Sequence, residues 1–362
     1  MYVAVKQIQV ARPQLVINRD IALGYLKTVQ DKDFKRKIKA LQNKEQPEQR
    51  TEPWYAARET RITASEAANC LTLDETSCRE YVDYYNLKDF KFKPNHCANA
   101  YSDLNGYLIE KTHKFYLRKK GIIPAYMSSP ATRWGSMFEE SAIRLYTLLT
   151  GDPVHEFGLI THSRLQWLGA SPDGVTPKGV MLEIKCPKSR KVTGVPPFHY
   201  FVQCQIQLEC CNLDMCHFLE CEMEDFETEQ EWRASIAPKG LIVKKNESYI
   251  YPPNVELSDD EFIAWANSVM NGELEQVEIE IPTEPAEPMD LDTSNDVYSI
   301  VYYAIPDYTI TNIPRMKNWF KLNKGKLKAV HEKLMWLQED PENFAEFKRS
   351  LKDPEEEVCM LD

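Results

Sequence analysis

Apolar residues recur at three-to-four spacing in several stretches of the chain. Between residues 19 and 43 two sets, Ala22, Leu26 and Val29, then Phe34, Ile38 and Leu41, are interspersed with Lys and Arg and predict a helix. Gly24 weakens its opening turns. Residues 76–87 and 102–120 carry the same period. Phe138, Ala142, Leu145 and Leu149 share a stripe, which predicts an amphipathic helix over 136–150 that ends at Gly151. The texture then changes. Residues 157–162, 165–170 and 180–185 read as short strands, separated by Ser171-Pro172-Asp173-Gly174 and Pro177-Lys178-Gly179. A helix over 197–211 and a strand over 215–222 follow. Ser258-Asp259-Asp260-Glu261 is a capping box that opens a helix ending near Asn271-Gly272. A strand over 297–305 and helices over 314–337 and 341–351 close the chain. Helices first, a central sheet, then helices again is the order of an α/β fold.

These elements divide the chain into a basic helical segment (1–50), a core (51–225), an extension of that core (226–281), an acidic, Pro-rich connector (282–296) and a terminal strand with helices (297–362). No internal repeat is visible.

At 362 residues, 43% hydrophobic and 11% aromatic, the chain has material for a large packed core. No apolar run reaches the length of a membrane span, and the N-terminus lacks the apolar stretch of a secretory signal. The expectation is a protein of an intracellular, reducing compartment, with no membrane partner. The ten cysteines fit that expectation as buried thiols. Cys210, Cys211, Cys216 and Cys221 are close in sequence, but their spacing is not that of a metal cluster, and two of them fall on opposite faces of one predicted strand.

The net charge of −11 argues against nucleic acid if taken alone, yet its distribution is polarised. Residues 1–65 hold 13 Lys/Arg against 7 Asp/Glu, whereas residues 220–296 hold 4 against 21. A basic surface therefore coexists with an acidic total, although such runs are most often simply solvated faces.

Candidate chemistry concentrates between residues 169 and 187. Along the strand Leu182-Glu183-Ile184-Lys185, alternate side chains take opposite faces, so Glu183 and Lys185 point the same way while Leu182 and Ile184 enter the core. Asp173, on the Pro-Asp-Gly turn of the same hairpin, is placed to approach Glu183. Two neighbouring carboxylates are costly without a cation between them, and hard oxygen donors suit magnesium, with manganese as a substitute. In that arrangement Asp173, Glu183 and the carbonyl of Ile184 hold the ion, and Lys185 orients a water or stabilises developing charge. A surface aspartate beside a Glu-x-Lys strand also arises without any chemistry.

Four ordered blocks make the pattern specific. Gly169-Ala170-Ser171-Pro172-Asp173-Gly174 followed by Leu182-Glu183-Ile184-Lys185-Cys186-Pro187 resembles the PD-(D/E)XK motif as it occurs in lambda exonuclease and the YqaJ-like viral recombinases, the viral alkaline exonuclease type. Arg58 to Ser65 resembles that family's Arg…Ile-Thr-Ala-Ser block. Trp134-Gly135-Ser136-Met137-Phe138-Glu139 resembles its Trp-Gly-x-x-(aromatic)-Glu, and Tyr200-Phe201-Val202-Gln203-Cys204-Gln205 its Tyr-x-x-Gln-x-Gln. The likeness spans about residues 54–222.

The resemblance implies a restriction-endonuclease-like mixed central sheet flanked by helices, with extra helical elements at both termini. It implies that Glu139 completes the metal site as a third acidic group. It favours Gln203 over Gln205 as the amide beside Lys185. It gives Arg58 and Ser65 to the terminal 5′-phosphate of DNA, and Ser65 reads as the start of a helix, where free N–H groups favour an anion. Arg61 is either a reinforcement of that pocket or a surface charge, and Arg133 is an equally open DNA contact.

The activity implied is magnesium-dependent hydrolysis of duplex DNA from a 5′ end to 5′-mononucleotides, in recombination, repair or viral genome processing. Endonuclease or RNase activity on the same fold, or a non-catalytic DNA-binding adaptor, are the other readings. Partners implied by resemblance are DNA ends and a single-strand annealing or single-strand-binding protein. Relatives include both a trimer and monomers, so the resemblance leaves self-association open. For a viral chain the compartment would be the host nucleus or cytoplasm.

Overall fold

The computed structural model describes residues 33–96, 103–123, 129–246, 248–253, 256–274, 279–280 and 297–351. The opening of the helix expected over 19–43 and the 282–296 connector lie outside these residues.

Helices α1 (Asp33–Gln42), α2 (Glu52–Glu59), α3 (Glu75–Tyr84) and α4 (Leu104–Lys119) precede the long helix α5 (Pro130–Thr150). Among them run the short strands β1 (Ile62–Thr63), β2 (Thr72–Leu73) and β3 (Lys93–His96), and a four-residue 3-10 turn, Ala67–Cys70. The middle of the chain forms β4 (Ile160–Thr161), β5 (Leu168–Ala170), β6 (Gly174–Val175), β7 (Val180–Lys185), α6 (Phe198–Cys211) and β8 (Met215–Phe226). There follow α7 (Glu229–Ala234), β9 (Lys239–Lys245), β10 (Ser248–Ile250), α8 (Asp259–Met270), β11 (Ile279–Glu280), β12 (Tyr298–Pro314), α9 (Lys317–Glu339) and α10 (Pro341–Ser350).

The main sheet has seven strands in the order β11-β10-β9-β12-β8-β7-β6. β7 and β8 run parallel, and the other pairings are antiparallel. A parallel pair needs a crossover, which α6 supplies. β6 pairs with β7 only at Leu182 and Met181, so β7 from Glu183 onward has a strand neighbour on its β8 side alone. A separate three-stranded sheet, β1-β5-β4, brings residues 62–63 beside 168–170. This is a mixed α/β sheet flanked by helices, as expected.

The two faces are covered differently. Leu182, Ile184 and Leu219 pack with Phe138, Ala142 and Tyr146 of α5. Met181 and Phe218, on the other face, pack with Phe201, Val202 and Cys204 of α6. Each of the fully buried aromatics contributes about 2 kcal/mol from apolar surface removed from water. Beyond β12, a third cluster joins Trp232 of α7, Leu241 and Val243 of β9, and Phe262 and Trp265 of α8. Gly179 turns the chain from β6 into β7 at φ +75°, and a side chain there would also strike the ring of Phe34 on α1.

Several boundaries differ from expectation. α5 starts at Pro130, capped by the Ser129 hydroxyl, because Pro at the first helical position and a Ser before it outweigh Gly135 inside the pattern. Glu139 is therefore in the third turn and not the first. The last strand continues past Pro306 to Pro314. Its register against β8 shifts between Ala304 and Asp307, and this bulge accommodates a residue without an N–H. β8 runs to Phe226 rather than stopping at 222. The strands expected at 157–162 and 165–170 shrink to two and three residues. β9, β10, α2 and α7 were not anticipated. Ser65 does not open a helix: Glu66 holds the cap position of the short 3-10 turn, and no side chain caps it.

Candidate active site

The site forms where β6 stops and β7 continues. Glu183 is fully buried beneath α6. Its Oε1 pairs with Lys185 Nζ and accepts from Gln203 Nε2 at 2.6 Å, and its Oε2 accepts from Gln207 Nε2 at 2.6 Å. Gln203 and Gln207 are one helical turn apart, which aims both amides at one carboxylate. A buried charge is tolerated only with such partners. Gln205 faces the other side of α6, where it donates to Pro314 O at 2.8 Å and accepts from Met316 N at 2.7 Å. Lys185 Nζ also stands 5.0 Å from the ring centroid of Tyr200.

Asp173 Oδ2 accepts from the backbone N–H of Ile184 at 2.6 Å. The N–H and C=O of one strand residue point to the same edge, so the Ile184 carbonyl shares this edge with Asp173. Glu139 reaches the site from α5, and Arg50 Nη2 pairs with its Oε2 at 3.0 Å. Arg50 holds φ +68°, a left-handed backbone that is uncommon outside glycine.

The electrostatics bind these groups together. Burial, then the carboxylates of Glu183 and Glu139, push the Asp173 carboxyl well above the usual carboxylate range, with Lys185 opposing. Burial also raises Glu139, against the pull of Arg50 and Lys185. Burial works against the charge on Lys185, but Glu183 and Asp173 outweigh it and hold the ammonium above the ordinary lysine range.

As they stand, the carboxylates face protein donors, and no three His, Cys, Asp or Glu side chains among the described residues close on one point. The donor set nevertheless fits a hard divalent cation. Asp173, Glu183 and the Ile184 carbonyl offer oxygen alone, and the repulsion that raises Asp173 is what such an ion relieves. Glu139 can join once released from Arg50.

The phosphate candidates form a second group. The Arg58 guanidinium lies 4.1 Å from the Trp54 ring centroid, and its Nη2 donates to Ser65 Oγ at 3.1 Å. Trp54 Nε1 donates to Ser171 Oγ at 2.9 Å, two residues before Asp173, so both groups share one wall. Arg61 turns elsewhere: its Nη1 donates to Ala57 O at 2.6 Å and caps the end of α2. Arg133 stands near the start of α5.

Trp54, Ser171, Arg50, Arg190 and Glu220 also join these groups, although no sequence-based expectation gives them a role. Glu220, fully buried on β8, is the register partner of Lys185, and Arg190 Nη2 pairs with its Oε1. Tyr200 lies between Lys185 and Arg190, whose Cζ is 5.7 Å from the ring centroid. The i, i+4 glutamines were visible in sequence, whereas nothing local marks the others. The eight described cysteines are buried free thiols, and Cys216 and Cys221 lie on opposite faces of β8.

Two carboxylates and a lysine thus meet beside the end of β7 in a mixed sheet. Residues 53–214 match the family model of the YqaJ-like viral recombinase domain. An uncharacterized protein of Acanthamoeba polyphaga mimivirus, R354, is 25% identical over a 252-residue alignment that covers 57% of this chain and 42% of that one. The chain thus spans less than half the length of that curated relative. Among solved structures, an alkaline exonuclease (LHK-Exo) from Laribacter hongkongensis is similar at 19% identity and a TM-score of 0.42, over 86% of this chain and 100% of that one. A phage-related exonuclease from Haemophilus somnus 129PT is similar at 12% identity and a TM-score of 0.33, over 78% and 97%. No helix among the described residues is long and apolar enough to cross a membrane.

Proposed function

We propose that this chain is a divalent-metal-dependent nuclease that degrades duplex DNA from a 5′ end and releases 5′-mononucleotides. The observation that carries the reading is the grouping of Asp173, Glu183 and Lys185 at the free edge of β7, inside a YqaJ-like domain. Asp173, Glu183 and the Ile184 carbonyl would hold magnesium or manganese, with Glu139 as a further ligand or a partner through water. When bound, such an ion polarises a phosphodiester and acidifies a water.

The protein's own groups do the rest. Gln203 and Gln207 fix the Glu183 carboxylate, which restricts it to one orientation before substrate arrives. Lys185 stays charged and stands where negative charge grows as the P–O bond breaks. Arg58, braced by Trp54, and Ser65 offer a fork and a hydroxyl to a terminal phosphate. Capture of that phosphate sets the distance to the bond that is cut, which favours digestion from an end. The 3′ strand left behind is the substrate of a single-strand annealing protein, the partner we propose. A reducing compartment suits the buried free thiols.

The test is a time course on end-labelled linear duplex against closed circular DNA, with and without magnesium. Linear duplex should shorten only with the metal, and faster with a 5′-phosphate than with a 5′-hydroxyl. Equal rates on both ends would sink the end-capture role. Full metal-dependent cleavage by Asp173→Ala or Lys185→Ala would sink the site itself.

A further inference from the structure

On the far side of α6 from Gln203 and Gln207 lies a pocket of about 350 Å³, whose lining includes His162, Arg164, Glu209, Lys317, Lys321 and Lys324. We propose that this pocket is a second phosphate-binding site, which takes the backbone of a nucleic-acid strand outside the catalytic centre. The inference rests on the nuclease reading for the choice of strand, but its chemistry is independent of it.

Four cations meet here against one anion. Lys317, Lys321 and Lys324 recur at four and three residues along α9 and so lie on one face. All three are exposed, and none forms an ion pair among the described residues. Arg164 faces them from the loop after β4. The anion, Glu209, is already neutralised: Arg315 holds both its oxygens, at 3.0 and 2.6 Å. The pocket therefore keeps a net positive field in a chain of net charge −11.

Its floor carries a buried donor. His162 is 6% exposed and stacks on the ring of Phe320, with centroids 6.2 Å apart. Its Nδ1 accepts from the backbone N–H groups of Arg164 and Leu165, both at 3.1 Å, which fixes the proton on Nε2. That Nε2–H donates to no group among the described residues. Burial, then Arg164, Arg315 and Lys44, hold the ring neutral against the pull of Glu209. The ring is thus a neutral, single N–H donor at the base of a cationic pocket. α9 also opens here without a capping side chain, which leaves its first N–H groups to solvent or a ligand. Lys317 at the first helical position is disfavoured by the helix dipole, so stability does not account for it. Lysines, a neutral imidazole donor and a helix start together suit an anion with several acceptor oxygens, which describes a phosphate.

The same chemistry could serve a strand's backbone or a free phosphate, and the test separates them. Duplex and single-stranded oligonucleotides are titrated onto the full chain in chelator, across a range of salt concentrations. Comparison is with a Lys317→Ser/Lys321→Ser/Lys324→Ser variant and with a control bearing Lys328→Ser and Lys348→Ser elsewhere on α9 and α10. The pocket variant should bind at least tenfold more weakly. Its slope of log K against log salt should be shallower by one to two, since each phosphate no longer neutralised removes about 0.9 on duplex and about 0.7 on a single strand. It should melt as the parent does, because the three side chains are exposed. Unchanged affinity and slope would overturn the proposal, as would an equal loss in the control. Protection of Lys321 and Lys324 from amine acylation by millimolar inorganic phosphate but not by oligonucleotide would assign the pocket to a free anion and overturn the strand. A chain that binds DNA through these lysines yet never cleaves it would remove the nuclease reading and keep the pocket.

Discussion

The indole N–H of Trp54 meets Ser171 Oγ at 2.9 Å and so joins helix α2 to the turn that carries Asp173. The carbonyl of Ser171 accepts from Gln207 at 3.2 Å, and Gln207 also holds Glu183. Two oxygens of one serine thus connect the Arg58–Ser65 pair to the carboxylates. Trp54→Phe removes the N–H and keeps the ring under Arg58. The expected result is about a fivefold loss of rate on 5′-phosphorylated duplex, from a hydrogen bond worth about 1 kcal/mol. The rate on 5′-hydroxyl duplex should change little. Single-turnover rates on the two ends check this, and an equal loss on both would mean a general structural role.

Stability should depend on pH in the metal-free chain. Asp173 and Glu139 both have raised pKa values, so the folded chain binds their protons more tightly than the unfolded chain does. Their contribution to stability is then full below the ordinary carboxylate range and is lost as pH rises through the raised values, while His199 and His217, held low by burial, act in the opposite sense. Asp173→Asn should gain stability relative to the parent as pH rises, because it removes one of the two carboxyl contributions. Melting midpoints from pH 4 to 8 in chelator test the sign. A difference between parent and variant that does not change across this window, or changes with the opposite sign, would contradict it.

A divalent ion should reverse the same penalty. At tenfold over its dissociation constant, a ligand that binds only the folded chain stabilises by about 1.4 kcal/mol. Magnesium or manganese should therefore raise the melting midpoint of the parent. Asp173→Asn and Glu183→Gln should lose most of the rise. Magnesium and manganese titrations of parent and variants followed by differential scanning calorimetry give the comparison directly.

The two glutamines on opposite sides of α6 should separate stability from chemistry. Gln205→Ala leaves Pro314 O and Met316 N without partners in a partly buried place, at a cost of about 1–2 kcal/mol. Gln203→Ala removes one of three donors from Glu183 and should lower hydrolysis by about 10- to 100-fold, with a smaller loss of stability. Urea midpoints and cleavage rates for both variants test the division, and matched losses in both measurements would refute it.

Glu220 and Arg190 form a pair whose members should fail separately and recover together. Arg190→Ala leaves a fully buried carboxylate whose pKa burial already raises, with Arg190 as the main opposing group. It should destabilise by about 2 kcal/mol, less than for a fully buried pair because Arg190 is 34% exposed. Glu220→Gln in the same chain should restore most of this. A double-mutant cycle on urea unfolding measures the coupling.

The sequence made the centre of the site legible because strand alternation and turn chemistry act over a few residues. Asp173, Glu183 and Lys185 needed only that local geometry, and the i, i+4 glutamines only a helical turn. Boundaries set by tertiary pairing were not legible. Pro306 reads as the end of a strand, yet β8 on one side lets β12 continue through a bulge. The apolar stripe predicts a helix from 136, yet Ser129 and Pro130 start α5 before it. The partnership of Arg50 with Glu139, 89 positions apart, and of Arg190 with Glu220 depends on how elements meet. Ser65 was expected to gain its role from a helix start. It gains its contact from Arg58 instead, because the chain from Ala67 to Cys70 turns too tightly and too briefly for an α-helix.

β12 pairs with β9 through residues 298–304 and with β8 through residues 302–314, so the strand that borders β8, the neighbour of β7, comes from the last quarter of the chain. Those residues come some 80 positions after the stretch that matches the family model ends. Cutting the gene at that boundary would strip β8 of its neighbour and bare a long row of amides and carbonyls, an invitation to aggregate. Recombinant pieces of this protein should therefore be planned around the closing strand, and not around the motif.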